Sequence, residues 1–430
     1  MIFLLFMIFA LRVYFKKKGE PRSMHPVITY LRHRGIAAVL AGARVLHRLT
    51  GGRRPKFLFS ENAEAEYVGS SVRIVEEDET SVTIAKYRSD GTIDPGEFTI
   101  LTTTDLHLDT KSPLTRGGSA ADRNNKSLRM LVRQIKRLRP DLVIFTGDVN
   151  QSDFQQIDAV QLAQLFEKLG VYWAYAFGNH EAREEKGYYK YLMYKGFQYG
   201  PHCLCRFGDP SLFGYGNFAI HIKNSETTLA KSLYLFDSGR DIQPERRAAY
   251  GLPEDLDGYD FLKREQIAWY LRETEKTRRR YGPVRTMVYL HIPLPEYAEV
   301  FGGNEEQGFA LTGKAKLLYG GQNESVGCSP YNSGFFEAAV NEGSLQAVFA
   351  GHDHVNDFCA GYRGVLLVYS QCGGYNTYSM EDRKGWPERD CHYGVTLTTL
   401  LPDGALRVSQ EKYAALPGQE RDEESGDSQR

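Results

Sequence analysis

The sequence predicts an α/β (or α+β) domain, because strand-like and helix-like segments alternate along the middle of the chain. Residues 98–103 form an apolar run typical of a buried strand, and Lys126–Leu138 follow with apolar side chains at helical spacing. A second strand (142–145), a second helix (Ala159–Leu169) and a third strand (171–177) repeat this order. Such alternation favours a sheet buried beneath helices. The composition, 42% hydrophobic and 25% charged residues, is that of an ordinary globular protein.

Residues 1–18 are predicted to form a membrane anchor segment. Residues 1–15 are apolar apart from Arg12, and Lys16–Lys18 follow at once. A cleavable signal peptide has its positive charge before the apolar run, so the order here favours an uncleaved anchor with a cytosolic basic flank. The run is shorter than the roughly 20 residues that span a bilayer. A start codon placed too late is the alternative interpretation.

Residues 19–56 are predicted to form a basic amphipathic helix or linker. Between His25 and Leu49, apolar residues recur at helical spacing with arginines among them. Residues 1–60 carry a net charge of +11 and the rest of the chain −12. A basic amphipathic helix is attracted to an anionic membrane surface, although a helix packed on the main domain is the alternative. Because the body of the chain is acidic, nucleic-acid binding is not expected.

The remaining elements follow in order. Residues 57–95 are predicted to contain a small β hairpin ahead of the core, because Val72–Ile74 and Val82–Tyr87 are β-type runs around an acidic turn. The main domain is expected to span residues 96–413, and the polar tail 414–430 is expected to be disordered. Further strands are predicted at residues 218–222, 232–237, 286–290, 347–350 and 365–369.

Side chains that bind metals follow five of the predicted strands directly. They are Asp105 and His107 after 98–103, Asp148 after 142–145, Asn179 and His180 after 171–177, His291 after 286–290, and His352 and His354 after 347–350. Five of the eleven histidines stand at these strand ends. Because loops at the carboxyl ends of neighbouring strands converge, these side chains are expected to meet.

The residue types predict a dinuclear metal site. Imidazole, carboxylate and amide ligands without thiolate suit Mn, Fe or Zn. Two metal ions about 3.5–4 Å apart need a carboxylate that bridges them. Gly147, Gly178 and Gly351 precede ligands and are expected to let the backbone turn tightly.

These motifs resemble those of the calcineurin-like metallophosphoesterase superfamily. In order, the chain contains DLH at 105–107, GD at 147–148, GNHE at 178–181, a lone His291 and GHDH at 351–354. The flanks PYNSGF (330–335) and GHDHVNDFC resemble purple-acid-phosphatase-like proteins that lack the colour-giving tyrosine, since Gln151 stands at the tyrosine position. The fold that this resemblance implies, the metallophosphoesterase fold, is a sandwich of two mixed β-sheets packed face to face and flanked by helices.

The resemblance also implies a role for each motif residue. One metal ion is implied at Asp105, His107, Asp148 and His354, and a second at Asp148, Asn179, His291 and His352, with Asp148 bridging. His180 is implied as a non-ligand that protonates the leaving oxygen or stabilises developing charge. Glu181 is expected to orient the His180 ring.

The implied function is hydrolysis of a phosphate monoester by in-line attack of a metal-bridging hydroxide, on a phosphorylated substrate of unknown identity. Phosphodiester hydrolysis is the alternative, because one fold can support both reactions. A membrane-tethered binding protein that has lost catalysis is a third interpretation, which a missing ligand would favour. None of the seven predicted ligands is missing.

Several other polar residues have two interpretations. Asp109, Asn125 and Asp353 are candidates either for supporting the ligands or for capping loops. Asn332 and Ser333 are candidates either for lining the pocket or for capping a helix that begins at Gly334. The remaining residues that we considered are His202, His221 and His392, which are not expected to bind metal, and Tyr375 and Tyr378, which receive no role.

The predicted location is a membrane-anchored protein with its catalytic domain in the cytoplasm. The basic flank of the apolar run supports this orientation. The six cysteines show no disulfide framework or paired zinc spacing, which is typical of reduced thiols in a reducing compartment.

Overall fold

The structure, a computed structural model, describes residues 65–109, 119–151, 155–182, 188–378 and 393–413. All of them belong to one compact unit, Leu58–Arg430. The predicted anchor (1–18), the basic segment (19–56), the tail (414–430), His392 and Cys391 lie outside the described residues. Within the described ranges, no helix is both long and apolar enough to cross a membrane. The five cysteines in these ranges are free thiols.

Sixteen strands and six α-helices can be traced in the described residues. The strands are β1 Val72–Glu77, β2 Ser81–Lys86, β3 Phe98–Thr103, β4 Leu142–Phe145, β5 Tyr172–Tyr175, β6 Phe218–Lys223, β7 Leu229–Leu235, β8 Thr286–Tyr289, β9 Phe301–Asn304, β10 Gly308–Leu311, β11 Ala315–Tyr319, β12 Leu345–Ala350, β13 Cys359–Tyr362, β14 Val365–Tyr369, β15 Gly394–Leu400 and β16 Leu406–Lys412. The helices are α1 Ser119–Leu138, α2 Gln155–Leu169, α3 Tyr188–Phe197, α4 Pro244–Tyr250, α5 Arg264–Tyr281 and α6 Phe335–Glu342, and short 3₁₀ turns cover His180–Ala182 and Pro295–Glu299.

The strands form two large mixed sheets and one small hairpin. The nine-stranded sheet has the order β1-β2-β6-β7-β8-β12-β14-β13-β11, and the five-stranded sheet has the order β16-β15-β3-β4-β5. Strands β3, β4 and β5 are parallel neighbours in the smaller sheet. In the larger sheet, β12 lies between β8 and β14 and is parallel to both. Among the described strands, β9 and β10 pair only with each other.

The two large sheets pack face to face, as predicted. Ile100 and Ile144 of the smaller sheet share one buried apolar core with Met287, Tyr289 and Phe349 of the larger sheet. The opposite face of the larger sheet is covered by helices, because Val288 and Val348 form a second core with Trp269 of α5 and Phe335 of α6. On the outer face of the smaller sheet, Phe145 packs edge-on against Phe166 of α2. The prediction of a sandwich flanked by helices is therefore confirmed.

The predicted hairpin is not a separate unit ahead of the core. Strands β1 and β2 pair in antiparallel fashion, and β2 then pairs in parallel with β6. The parallel pairing makes the hairpin one edge of the nine-stranded sheet. Short-range patterns predict the turn, but the partner strand is more than 130 residues further along the chain.

The strands that carry the ligand motifs lie in two different sheets. Strands β3, β4 and β5 end at the DLH, GD and GNHE motifs, and β8 and β12 end at His291 and GHDH. Hydrogen bonds join the two groups of strand ends: the amide of His352 donates to Asp105 Oδ2 at 3.0 Å, and Nδ1 of His291 lies 2.8 Å from the carbonyl oxygen of Thr146. The site therefore forms where the ends of both sheets meet.

Candidate metal centre

The backbone at the strand ends is held in an unusual conformation. Only six non-glycine residues in the described ranges have positive φ, and four of them are predicted ligands: Asp105 at 53°, His107 at 44°, Asp148 at 48° and His352 at 80°. The left-handed region is disfavoured for residues with a Cβ, and such conformations cluster at functional sites. Each of these loops therefore turns sharply as it leaves its strand.

The first ligand set contains Asp105, His107 and His354. Oδ1 of Asp105 lies 3.4 Å from Nε2 of His107 and 3.4 Å from Nε2 of His354. The two Nε2 atoms are 3.1 Å apart. Oδ1 of Asp105 is buried and accepts no hydrogen bond from the described residues. These three atoms could hold a metal ion.

The hydrogen bonds of the ring nitrogens indicate that this set fits a cation. Nδ1 of His107 lies 3.3 Å from the amide oxygen of Gln151, which can only accept, so Nδ1 donates and Nε2 faces the other ligand atoms. Nδ1 of His354 is bonded to the hydroxyl of Thr377 at 2.5 Å. The two Nε2 atoms and the buried Oδ1 of Asp105 therefore converge on one point, and nitrogen and oxygen ligands in this arrangement suit a metal ion.

The second set contains Asp148, His291 and His352, with Asn179 beside them. Nε2 of His291 is 3.2 Å from Oδ2 of Asp148 and 2.8 Å from Oδ1 of Asn179. Nδ1 of His291 donates to the carbonyl oxygen of Thr146, which fixes the ring so that Nε2 faces Asp148 and Asn179. The mixture of imidazole, carboxylate and amide donors suits Mn, Fe or Zn.

Asp148 stands between the two sets. Its Oδ2 is 3.2 Å from Nε2 of His291 in the second set and 3.8 Å from Nε2 of His107 in the first. Its Oδ1 accepts a hydrogen bond of 2.8 Å from the His180 amide, which orients the carboxylate. Burial alone would raise the pKa of Asp148, but the surrounding imidazoles of His291, His107 and His180 hold this pKa well below its usual range.

His180 differs in its exposure from the other histidine and aspartate side chains of the two ligand sets. Its side chain is 41% exposed, whereas those of Asp105, His107, Asp148, His291 and His354 are at most 7% exposed. Its Nε2 lies 3.8 Å from Oδ2 of Asp148, and its ring meets the His107 ring edge-on at 4.8 Å. His107, Asp148 and His180 are also close enough together to hold an ion. Among these side chains, the His180 ring is therefore the one that solvent can reach most easily.

Glu181 does not contact the His180 ring, contrary to the sequence prediction. Its buried carboxylate accepts hydrogen bonds from the amides of Asp148, Asn150 and Gly178 at 2.8–3.0 Å. The hydroxyl of Tyr175 donates a fourth at 2.5 Å. Burial, followed by the charge of Asp148, raises the pKa of Glu181 to about 7. Glu181 therefore joins the loops after β4 and β5 and positions the ligands through the backbone.

The structure adds residues that the sequence did not predict. The Tyr378 ring stacks on His354 with centroids 4.2 Å apart, and its hydroxyl lies 3.0 Å from both carboxylate oxygens of Glu324. Tyr259 meets the His352 ring edge-on at 4.3 Å. Burial, followed by the charges of Asp353 and other carboxylates, raises the pKa of the Tyr259 phenol. The sequences around Tyr378 and Tyr259 contain no metal-ligand pattern. Nothing in the sequence therefore identifies these two residues as part of the site.

The other residues singled out in the sequence also form defined contacts in the structure. The Asp353 carboxylate accepts hydrogen bonds from the Tyr369 hydroxyl at 2.5 Å and the Gly327 amide at 2.9 Å. Asn332 caps its own turn by accepting the Gly334 amide at 2.9 Å. The other contacts are His202 with Glu167, His221 with Ser232, and the Tyr375 ring with Lys126. Asn332 and Ser333 also line a small cleft beside Ile292, next to His291.

The glycines that precede the ligands serve two different purposes. Gly147 has φ 92° and so adopts the left-handed backbone that was expected. Gly178 and Gly351 are not among the described glycines of positive φ. At these two positions glycine is required because there is no room for a Cβ. A Cβ on Gly178 would lie 2.2 Å from Oδ1 of Asp148, and one on Gly351 would lie 2.0 Å from Oγ1 of Thr104.

Replacing Gly178 with alanine is therefore expected to displace Asp148. The added methyl group would also lie 2.5 Å from the Asp148 amide nitrogen, so the backbone itself must move. We expect Gly178→Ala to lower metal content and to reduce kcat/KM by about 10²-fold, as misplacement near 1 Å can do. Metal analysis measures the metal content, and phosphatase assays measure kcat/KM. Gly313→Ala is the matched control, because its Cβ would meet nothing within 4 Å; equal behaviour of the two variants would contradict the spatial argument.

The sequence of the chain is similar to one protein family and to several named relatives. Residues 98–356 match the family model described as calcineurin-like phosphoesterase. "Probable inactive purple acid phosphatase 14" of Arabidopsis thaliana is 32% identical over 286 residues, which cover 60% of this chain and 64% of that protein. "Phosphatase DCR2" of Saccharomyces cerevisiae is 27% identical over 283 residues, which cover 62% of this chain and 45% of that protein. The chain thus spans less than two thirds of the length of either relative.

A similar solved structure is that of a dimetal phosphatase from Danio rerio. It shares 13% sequence identity with this chain, covers 74% of this chain and 96% of its own, and superposes with a TM-score of 0.40.

Proposed function

The chain belongs to the calcineurin-like phosphoesterase family, and we propose that it hydrolyses phosphate monoesters at a dinuclear metal centre. The observation that carries the proposal is the position of Asp148, whose Oδ2 lies within 4 Å of a ring nitrogen from each ligand set. A carboxylate in this place can serve both ions of a pair. Asp105, His107 and His354 would hold one ion with it, and Asn179, His291 and His352 the other.

Each part of the site has a task in this reaction. When bound, two such ions activate water as a nucleophile at neutral pH and neutralise charge on a phosphoryl group. Glu181 holds the ligand loops through the backbone amides of Asp148 and Gly178. The carbonyl oxygen of Thr146 holds the His291 ring through its Nδ1. His180 is the exposed imidazole beside the ligands, so its ring can protonate the leaving oxygen or donate to the phosphoryl group.

A catalytically silent protein is the competing proposal, since the name of the Arabidopsis relative includes the word "inactive". In this chain, all seven predicted ligand positions carry side chains able to bind metal, and six of them fall into two groups compact enough to hold an ion. The exposed His180 is present as well. These observations favour an active enzyme over a binding protein.

The test is a substrate screen with the full chain loaded with Mn, Fe or Zn in turn. We expect hydrolysis of p-nitrophenyl phosphate to exceed that of bis(p-nitrophenyl) phosphate with at least one metal, and to disappear after chelation. A preference for the diester would replace the proposal with phosphodiester hydrolysis. Two metal ions bound with neither substrate cleaved would favour the silent protein.

We also propose that residues 1–56 tether the catalytic domain to the cytoplasmic face of a membrane. The apolar run at 1–15, its basic flank and the excess of positive charge in residues 1–60 support this placement. Protease treatment of intact cells tests it. We expect the catalytic domain to survive until the cells are lysed, and degradation before lysis, or recovery in the soluble fraction, would contradict the proposal.

A further inference from the structure

Tyr259 lies against the metal centre although its segment supplies no ligand. Its ring meets the imidazole of His352 at 4.3 Å between centroids and an interplanar angle of 87°. The side chain is only partly buried. In the described part of the chain, no residue forms a hydrogen bond with the Tyr259 hydroxyl. A donor is therefore available beside a predicted ligand.

The segment that carries Tyr259 is well anchored. Residues 240–242 pair with residues 258–260 through two backbone hydrogen bonds, from the Ile242 amide to Gly258 at 2.9 Å and from the Asp260 amide to Arg240 at 3.0 Å. Beneath this pair, Asp260 forms a buried ion pair of 2.9 Å with Lys263. The backbone on either side of Tyr259 is consequently held by hydrogen bonds, as a residue that binds substrate requires.

Tyr259 and His180 contact different ligand sets. The His180 ring lies against His107 of the first set, and the Tyr259 ring lies against His352 of the second. Both side chains are partly exposed. Each ligand set therefore has one partly exposed polar side chain packed against one of its imidazoles.

We propose that Tyr259 donates a hydrogen bond from its hydroxyl to a phosphoryl oxygen of the bound substrate. This inference rests on the proposed phosphoesterase function and extends it by a second substrate-binding side chain. A phenol hydroxyl has one hydrogen that it can donate to an acceptor oxygen. Hydrogen bonds to charged oxygens are roughly twice as strong as those between neutral groups.

The test compares Tyr259→Phe with wild type, because phenylalanine keeps the ring that packs on His352 and removes only the hydroxyl. The probe is inorganic phosphate, whose Kd for the Mn-loaded full chain is measured by calorimetry, together with metal content and kcat/KM for p-nitrophenyl phosphate. We expect Kd to rise and kcat/KM to fall by about 10- to 100-fold, with metal content unchanged. Tyr331→Phe is the matched control, since its ring packs on Tyr250 and Phe261, and we expect it to behave as wild type.

The outcomes separate this inference from the proposed function. Unchanged phosphate affinity and kcat/KM in Tyr259→Phe would overturn the inference, and so would loss of metal, since the hydroxyl would then support His352 and not substrate. If Tyr259→Phe weakens phosphate binding but wild type cleaves no monoester, the role of Tyr259 stands and the proposed function fails. Failure of metal-loaded wild type to bind phosphate would contradict both.

Discussion

Asp148→Asn is expected to abolish hydrolysis and to lower the content of both metal ions. The substitution keeps the shape of the side chain and its bond to the His180 amide, but it removes the negative charge that lies between the two ligand sets. Because metal ions supply several kcal/mol of transition-state stabilisation, we expect kcat/KM to fall by about 10³-fold or more. Metal analysis and steady-state kinetics measure the two effects.

The control for this prediction is Asp209→Asn. That carboxylate lies in an exposed turn, where it accepts hydrogen bonds from Ser211, so we expect metal content and activity to remain at wild-type values. If Asp148→Asn retained both metals in full and near wild-type activity, Asp148 would not be the bridging residue. If Asp148→Asn lost only one of the two metal ions, Asp148 would be a ligand of that ion alone and not a bridge.

His180→Ala is expected to reduce kcat by about 10²-fold or more while leaving metal content intact. The reason is its position: the ring is exposed and contacts His107 and Asp148 from the solvent side. If the imidazole protonates the leaving oxygen, the loss should be smaller for p-nitrophenyl phosphate than for an alkyl phosphate, because nitrophenolate needs little protonation. The measurement is kcat for both esters, with metal analysis of the same samples.

His202→Ala serves as the control for the removal of an imidazole. Its ring is partly exposed and bonded to Glu167, and we expect unchanged kinetics. Since His107, Asp148 and His180 can also hold an ion among themselves, loss of metal from His180→Ala would make His180 a ligand. An equal loss of kcat for both esters would exclude the role of general acid and leave charge stabilisation.

The parts of the fold that sequence predicts best are the buried strands and the ligands that follow them. Strands β3, β4, β8 and β12 are short runs of apolar residues, and buried parallel strands require such runs on both faces. Helix α1 is predicted by its apolar spacing, although it begins at Ser119, earlier than the expected Lys126. These are local patterns, and local patterns are what a single sequence contains.

Long-range pairing was harder to predict. Strand β2 pairs with β6, and β15 inserts between β3 and β16, although nothing near residues 394–400 identifies its partner. The strands β9, β10, β11 and β13 are exposed or contain glycine, so their apolar alternation is weak. Register and strand order depend on packing between distant segments, which one sequence does not reveal.

The same distinction applies to the site. Ligand residue types at strand ends indicate chemistry directly, and the structure brings Asp105, His107, Asp148, His291 and His354 within a few ångströms of one another. Residues beside the ligands, such as Tyr378, Glu324 and Tyr259, lie in segments whose sequences contain no metal-ligand pattern. The predicted role of Glu181 follows from its neighbour in sequence, whereas its carboxylate bonds to amides of the loop after β4, to the Gly178 amide of its own loop and to the Tyr175 hydroxyl.

The central claim, a pair of metal ions shared through Asp148, is tested most directly by an activity titration of the metal-depleted full chain. Whichever of Mn, Fe and Zn supports the most hydrolysis of p-nitrophenyl phosphate is added in measured steps, and the rate is recorded at each step. We predict that activity is absent at the start and reaches its plateau at two equivalents of metal per chain. A plateau at one equivalent, or hydrolysis that persists without metal, would contradict the claim.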